Sequence, residues 1–223
     1  MKKASKLFSE DDRKRIAQSV ESAEGKTSAE IVPVVATSSG RYDRSEDVVG
    51  LWIGVVALVV VWVVFQDAKP GEWGSTQLVV NLPIVLGIVV GGWLLGVFVA
   101  NHVPWLRRLF TPRKELREEV EQGARRSFFD SRVHHTAGST GILIYVSLFE
   151  HVAVVLADQQ VTEKLGQEKL DGFCKEMTSA LKEGKYTEAF CTTIEKVGNA
   201  LGEVLPRQSD DQNELEDALV VID

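Results

Sequence analysis

Two uncharged apolar runs dominate the pattern of this chain. Residues 48 to 65 read VVGLWIGVVALVVVWVVF, and Leu78 to Ala100 is equally free of charge. As a helix the first run is about 27 Å long, close to the thickness of a bilayer's hydrocarbon core. Buried strands of a soluble core have about 5 to 6 residues, and neither run carries the polar punctuation that would cut it into several. The pattern therefore predicts two transmembrane helices joined by a short polar turn holding Asp67, Lys69, Pro70, Gly71, Glu72 and Trp73. Asn81 and Pro83 fall near the start of the second span, where proline is easiest to accommodate. Gly87, Gly91, Gly92 and Gly96 offer small surfaces for close helix packing.

On either side the periodicity changes. Ser9 can cap a helix with Glu10, Asp11 and Asp12 in its first turn and Ile16, Val20 and Ala23 on one apolar face, stopped by Gly25. Ile31 to Val35 is a short apolar strand in which Pro33 suits an edge or a bulge. After the second span, Pro104-Trp105-Leu106-Arg107-Arg108 has an interfacial character, and Leu116, Val120, Ala124 and Phe128 mark a helix reaching about Phe129. Ile142 to Leu148 is the continuous apolar run of a central strand covered on both faces. Glu150-His151 forms a turn, and Val152 to Leu156 follows so closely that an antiparallel pair is expected. Two helices, from about Val161 to Lys182 and from Thr187 to Leu205, complete a mixed α/β order.

Composition sharpens this picture at three points. The mean hydropathy of -0.01 averages an almost uncharged hairpin with a remainder dense in charge, and that remainder is enough for one compact domain. The net charge of -7 argues against a nucleic-acid partner, which would call for a basic face. Cys174 and Cys191 lack a metal-type spacing and are expected as reduced core thiols, in keeping with a cytosolic domain. No cleavable signal precedes the first span. Arg41 and Arg44 lie before the hairpin and Arg107, Arg108, Arg113, Lys114 and Arg117 after it, against Lys69 alone in the turn. This asymmetry predicts a multi-pass protein of the inner (cytoplasmic) membrane with both termini cytoplasmic.

Familiar catalytic signatures are missing: the chain has no phosphate-binding loop, nucleophile elbow or zinc-protease helix. His134-His135 lies on a polar loop and reads either as a solvated pair or as two metal ligands, the latter needing further ligands to converge. Asp158 follows a strand and precedes a helix, where α/β sheets gather ligands, and its alternative is an ordinary helix cap. Asp210, Asp211, Glu214, Glu216 and Asp217 could join it around a calcium ion, although their spacing is not that of an EF-hand.

Five segments together carry a resemblance: Thr27-Ser28-Ala29-Glu30-Ile31-Val32, Thr140 to Ser147, Leu156-Ala157-Asp158-Gln159-Gln160-Val161, Lys182-Glu183-Gly184-Lys185-Tyr186 and Asn213-Glu214-Leu215. In this order they resemble the TPM-domain family, found in bacterial membrane proteins and in chloroplast relatives linked to photosystem repair. The resemblance implies a three-layer α/β sandwich with a small mixed sheet between helices, split by an inserted transmembrane hairpin. Residues 1–47 would be the first part of a cytoplasmic domain, 48–101 the hairpin, 102–206 the second part and 207–223 an acidic tail. The apolar end of that tail, Leu219 to Ile222, would dock as an edge strand or a helix, and Ile31 to Val35 would pair with Ile142 to Val146.

The family carries a phosphatase label, and some members are associated with calcium; the matching acidic positions are Asp158 and, as a second, Glu30. This sequence departs from the family pattern at Ala29, at Gln159-Gln160 and at Glu216, and loss of a glycine after Asp158 restricts approach of a ligand to the backbone. The expectation is a membrane-anchored interaction or accessory module for other membrane proteins, working without turnover. Its alternatives are a phosphomonoester hydrolase assisted by calcium or another divalent cation, and a calcium-binding regulatory domain.

Overall fold

The helix Glu10–Glu24 (α2) forms as its pattern predicts, and its start is fixed by reciprocal capping. The Ser9 hydroxyl accepts from the Asp12 N–H at 3.2 Å, while the Asp12 carboxylate accepts from the Ser9 N–H at 3.0 Å. A one-turn helix, Ala4–Leu7 (α1), precedes it. The computed structural model describes residues 3–40, 42–64, 82–136, 138–208 and 213–223. It divides into two compact units, one made of residues 1–40 with 114–223 and the other of residues 41–113.

In the first unit, Ile31–Ala36 (β1), Ile142–Ser147 (β2), Val152–Ala157 (β3) and Val220–Ile222 (β4) form one mixed sheet in the order β3-β2-β1-β4. The pairs β1–β2 and β1–β4 are parallel, with Ile31 beside Ile142 and Val34 beside Val220; β2–β3 is antiparallel, with Ile142 beside Ala157. The tail's apolar end thus takes the edge-strand alternative. β1 and β2 are buried along their whole length, which is why both read as unbroken apolar runs.

Pro33 lies in an inner strand and not at the edge its residue type suggests. Its register partner is Ile144 on β2, whereas β4 pairs only with Val34 to Ala36. Along β1, the carbonyls of Glu30 and Ala36 serve the β2 side, while the N–H of Thr37 donates to Ile222 on the β4 side. The alternation points the nitrogen of Pro33 to the β4 side, before β4 begins, so no ladder bond is lost.

Helices cover both faces of the sheet. On one, Ile16, Val20 and Ala23 of α2 pack with Ile31, Val35, Ile142 and Ile144 and with three further helices: Gln159–Leu165 (α7), Gln167–Lys182 (α8) and Tyr186–Val204 (α9). On the other, Val120 and Ala124 of the helix Arg113–Asp130 (α6) pack over Val32, Val34, Leu143 and Tyr145. The single helix expected from Val161 to Lys182 is in fact two, because Gly166 at φ 77° turns the chain between α7 and α8. That backbone geometry is open to glycine and strained for other residues.

The second unit holds Asp43–Val64 (α3), Leu82–His102 (α4) and Pro104–Phe110 (α5). α3 and α4 pack through paired glycines. A Cβ at Gly92 would come 2.7 Å from the Cα of Gly54, and one at Gly96 would come 2.5 Å from the Cα of Gly50. Both helices are long and apolar enough to cross a membrane: Glu46–Val64 has a mean hydropathy of 2.5 with 17% of it buried, and Leu82–Ala100 has 2.4 with 11% buried. A helix in the core of a soluble protein would be mostly covered. The expected turn between the spans, with Lys69 and Trp73, lies outside the described residues.

Candidate functional site

The sheet brings Glu30 and Asp158 to the same edge. The Ile142 N–H donates to the Glu30 carbonyl at 2.8 Å, and the Asp158 N–H donates to the Gly141 carbonyl at 2.8 Å. Glu30, Gly141 and Asp158 therefore form a row across β1, β2 and β3, and side-chain alternation puts all three on the α6 side of the sheet. The position between the two acids is occupied. A short 3₁₀ turn, Val133–His135, lies on Gly141 so closely that a Cβ there would overlap the Val133 carbonyl.

Each acid is engaged in holding the backbone. Asp158 caps α7, its Oδ1 accepting from the Gln159 N–H at 2.8 Å. Its Oδ2 is buried and has no hydrogen-bond partner among the described residues. Glu30, 7% exposed, accepts from the N–H groups of Glu214 and Leu215, each at 3.2 Å. The Asn213-Glu214-Leu215 segment is thus brought against the start of β1, and the Asn213 side-chain amide donates to Asp217 at 2.7 Å.

The sequence reading missed Glu24, the last residue of α2. Its Oε1 accepts from the Ile31 N–H at 2.7 Å, on the stretch of β1 that β4 is too short to reach. Burial pushes the Glu24 carboxyl up to about 8; the Ile31 N–H opposes this, while Glu30 and Asp217 reinforce it. Glu24 therefore keeps a proton at neutral pH and shares a hydrogen bond with Asp217. No sequence signal marks it, because a glutamate just before a helix-ending glycine reads as solvated.

His134 and His135 sit on the 3₁₀ turn. The His134 ring stands edge-on to Phe129 at 4.9 Å between centroids and 4.7 Å from His135, and its Nδ1 is buried without a hydrogen-bond partner among the described residues. Among the described residues, no group of three or more His, Cys, Asp or Glu side chains is placed to hold a metal ion. Glu30 and Asp158 alone fall short of the six to eight oxygens that calcium takes. Asp210 and Asp211 lie outside the described residues.

A second polar cluster, also missed, occupies the opposite end of β1 and β2. Glu150, 2% exposed, accepts from the Ser147 hydroxyl and from the Ser39 N–H at 2.8 Å. The Ser39 hydroxyl bonds to Ser147 at 2.9 Å and to the Tyr145 hydroxyl at 3.0 Å. Burial, reinforced by Glu150, pushes the Tyr145 phenol up from its ordinary value. The turn at Glu150-His151 is thus an internal anchor for the loop after β1.

Two grooves lie elsewhere. One of about 460 Å³ is lined by Arg15, Ser19, Lys26, Glu188, Cys191 and Glu195, between α2 and α9. Another of about 450 Å³ is lined by Leu165, Glu168, Lys169 and Phe173. Neither includes Glu30, Asp158 or His134. Cys174 and Cys191 are free thiols, and burial pushes the Cys174 thiol up.

These features define a class, a mixed α/β protein whose chain also carries two apolar helices between its first and second strands. No protein-family model matches the chain, and no curated protein matches it. Among solved structures it is similar to the NMR structure of the BA42 protein from the psychrophilic bacterium Bizionia argentinensis, with 17% identity, 99% of each chain covered and a TM-score of 0.57. At that identity the likeness supports the fold alone.

Proposed function

We propose that this chain is a membrane-anchored module of the TPM-domain type, holding its α/β unit at the cytoplasmic face of a bacterial inner membrane as an accessory to other membrane proteins, without turnover. One observation carries the reading. Two helices of mean hydropathy 2.5 and 2.4, left almost uncovered, interrupt the chain between strands that pair with each other. Water-exposed helices of this kind would be unstable as soluble elements, and a bilayer is the solvent that fits them. The engagement of Glu30 and Asp158 in backbone hydrogen bonds supports a role without chemistry.

The anchoring is tested by alkaline extraction of native membranes together with cysteine labelling at Ser75 and Ser209 in a background lacking Cys174 and Cys191. Retention in the membrane, with Ser75 labelled from outside and Ser209 only after permeabilisation, is expected; extraction, or equal labelling of both, overturns the reading. Crosslinking and mass spectrometry from the same membranes should return integral membrane proteins as neighbours. Recovery of soluble proteins alone would contradict the accessory role.

A calcium-binding reading is favoured by one feature, the buried Oδ2 of Asp158 without a partner among the described residues. Titration calorimetry of the full chain with calcium decides it. Heat that disappears in Asp158→Asn would support the reading, and none from the wild type would remove it. A hydrolytic reading requires activity on a generic phosphate ester that is lost in Asp158→Ala.

A further inference from the structure

Residues 213–218 lead into β4 without helix or strand of their own, and a corner of carboxyl groups holds them against the first unit. Glu30 accepts the N–H groups of Glu214 and Leu215, and the Asn213 amide donates to Asp217 at 2.7 Å. Asp217 in turn shares a hydrogen bond with Glu24 at the end of α2. Leu215 packs half-buried on the α6 side of the sheet, whereas Leu219, next to β4, is buried among the residues on the α2 side. The segment thus crosses the sheet edge exactly where β4 leaves β1 uncovered.

We propose that Glu24, Glu30 and Asp217 form a proton-operated latch: with a proton between Glu24 and Asp217 the segment 213–218 is closed over the start of β1, and without it the segment swings away while β4 stays paired. The hydrogen bond itself requires that proton, because two carboxylates offer acceptors only. Once the proton leaves, Glu24 has nowhere to go. It is carried by a helix of 15 residues, and its Oε1 holds the Ile31 N–H at 2.7 Å. Its place at the C-terminal end of α2 also sets the helix dipole against a negative charge. The repulsion is therefore relieved by movement of Asp217, which sits on the irregular segment.

The surroundings supply little to neutralise that charge. From β1 comes Glu30, from the tail Asp217, with Glu214 and Glu216 on the same segment, and along α2 Glu21 lies one turn back. Lys26 is turned to α9, donating to the Asn199 side chain at 2.9 Å, and Asn199 and Gly202, the α9 residues that meet Lys26, carry no charge. Arg207 comes to this corner through its N–H, which donates to the Lys26 carbonyl at 3.4 Å. Burial, reinforced by Glu30 and Asp217, pushes the Glu24 carboxyl up to about 8, so the latch works near neutral pH.

The far end of the tail is held by the opposite logic. Asp223 accepts from the Ser5 hydroxyl, from the Ser5 N–H at 3.0 Å and from the Thr37 hydroxyl at 3.1 Å, with Lys3 at 3.7 Å. The Ser5 donors hold its carboxyl down to about 2, so this clasp keeps its charge throughout the range in which Glu24 titrates. Opening is thereby confined to 213–218. It uncovers Leu215 and the stretch of β1 that β4 does not reach, and a change of pH becomes a change of surface.

Hydrogen exchange on the full chain in detergent, followed by mass spectrometry from pH 6 to 9 and corrected for intrinsic rates, tests the latch. Protection of a peptide covering 213–218 should fall by up to about tenfold per pH unit and level off above about pH 8, while a peptide covering 220–222 keeps its protection. Glu24→Gln should hold the 213–218 peptide closed at every pH. Asp217→Asn should do the same, because its amide can donate to an ionised Glu24, and it serves where Glu24→Gln impairs folding. Protection that does not change with pH in the wild type overturns the proposal, as does a fall of the same size in both variants. A parallel loss at 220–222 also overturns it, by showing that the whole sheet edge opens and not the latch.

Discussion

Glu24 shows how one carboxyl group can serve a sheet by remaining uncharged. It accepts the Ile31 N–H and shares a proton with Asp217 while crowded by Glu30. The folded protein retains on Glu24 a proton that the unfolded chain releases above pH 4.5. Its stabilising contribution is therefore complete below pH 4.5 and is lost as the pH rises through about 8. Glu24→Gln copies the protonated form, so thermal midpoints of wild type and variant should coincide below pH 4.5, separate in favour of the variant as the pH rises from 4.5 to about 8, and stay apart above it. Circular dichroism melts across this range check it, and parallel profiles would refute it. Glu150 is the contrasting case, a buried acceptor encircled by donors from Ser39 and Ser147. Glu150→Ala leaves those donors unmatched and should cost about 2 to 3 kcal/mol. Denaturant unfolding measures this, and a loss within about 0.5 kcal/mol would mean that the cluster contributes no more than an ordinary surface site.

At the scale of elements, most of the order is legible in the sequence because its signals are local. An apolar run such as Ile142 to Ser147 declares an interior strand, and the close succession of Val152 declares an antiparallel partner. The break at Gly166 is not legible in the same way, since Leu165 and Leu170 both face the core and keep an apolar pattern across it. Asp158 is legible as a cap because capping depends on one chain neighbour, whereas the roles of Glu24 and Glu150 depend on where β4 starts and where the Ser39 loop returns. The glycines of α4 sort by surroundings that spacing alone does not reveal. Gly96 meets the backbone of Gly50, but among the described residues nothing lies within 4 Å of a Cβ at Gly87. Gly96→Leu should lower hairpin stability by about 1 to 3 kcal/mol through overpacking, while Gly87→Leu leaves it unchanged. Thermal melts in one detergent compare the two directly, and equal losses would place the contact face wrongly.

For the molecule as a whole, the first unit draws its residues from both sides of the second. Within that unit Gly40 lies against Glu119, with a Cβ at Gly40 only 2.8 Å from the Glu119 Cγ. About 8 Å of helix separates Glu119 from Lys114, so the two cut ends are near one another. Replacing residues 41–113 by a short Gly-Ser link should therefore give a chain that stays soluble without detergent and unfolds in one cooperative step. Dispersed amide resonances and a single melting transition are the expected result; an insoluble or molten product would show that the second unit is needed for folding.

The register of β1 also sets a timetable. Both of its neighbours, β2 and β4, are synthesised after residues 41–113, and β4 is the last strand of the chain. A nascent chain thus holds Ile31 to Ala36 unpaired while its two apolar helices leave the ribosome, and parallel partners so distant in sequence are slow to find each other. Insertion comes first, and sheet closure is its sequel. Ribosome-bound chains halted before Ile142 should have the apolar helices shielded while residues near β1 remain open to protease; early protection of β1 would reverse that order.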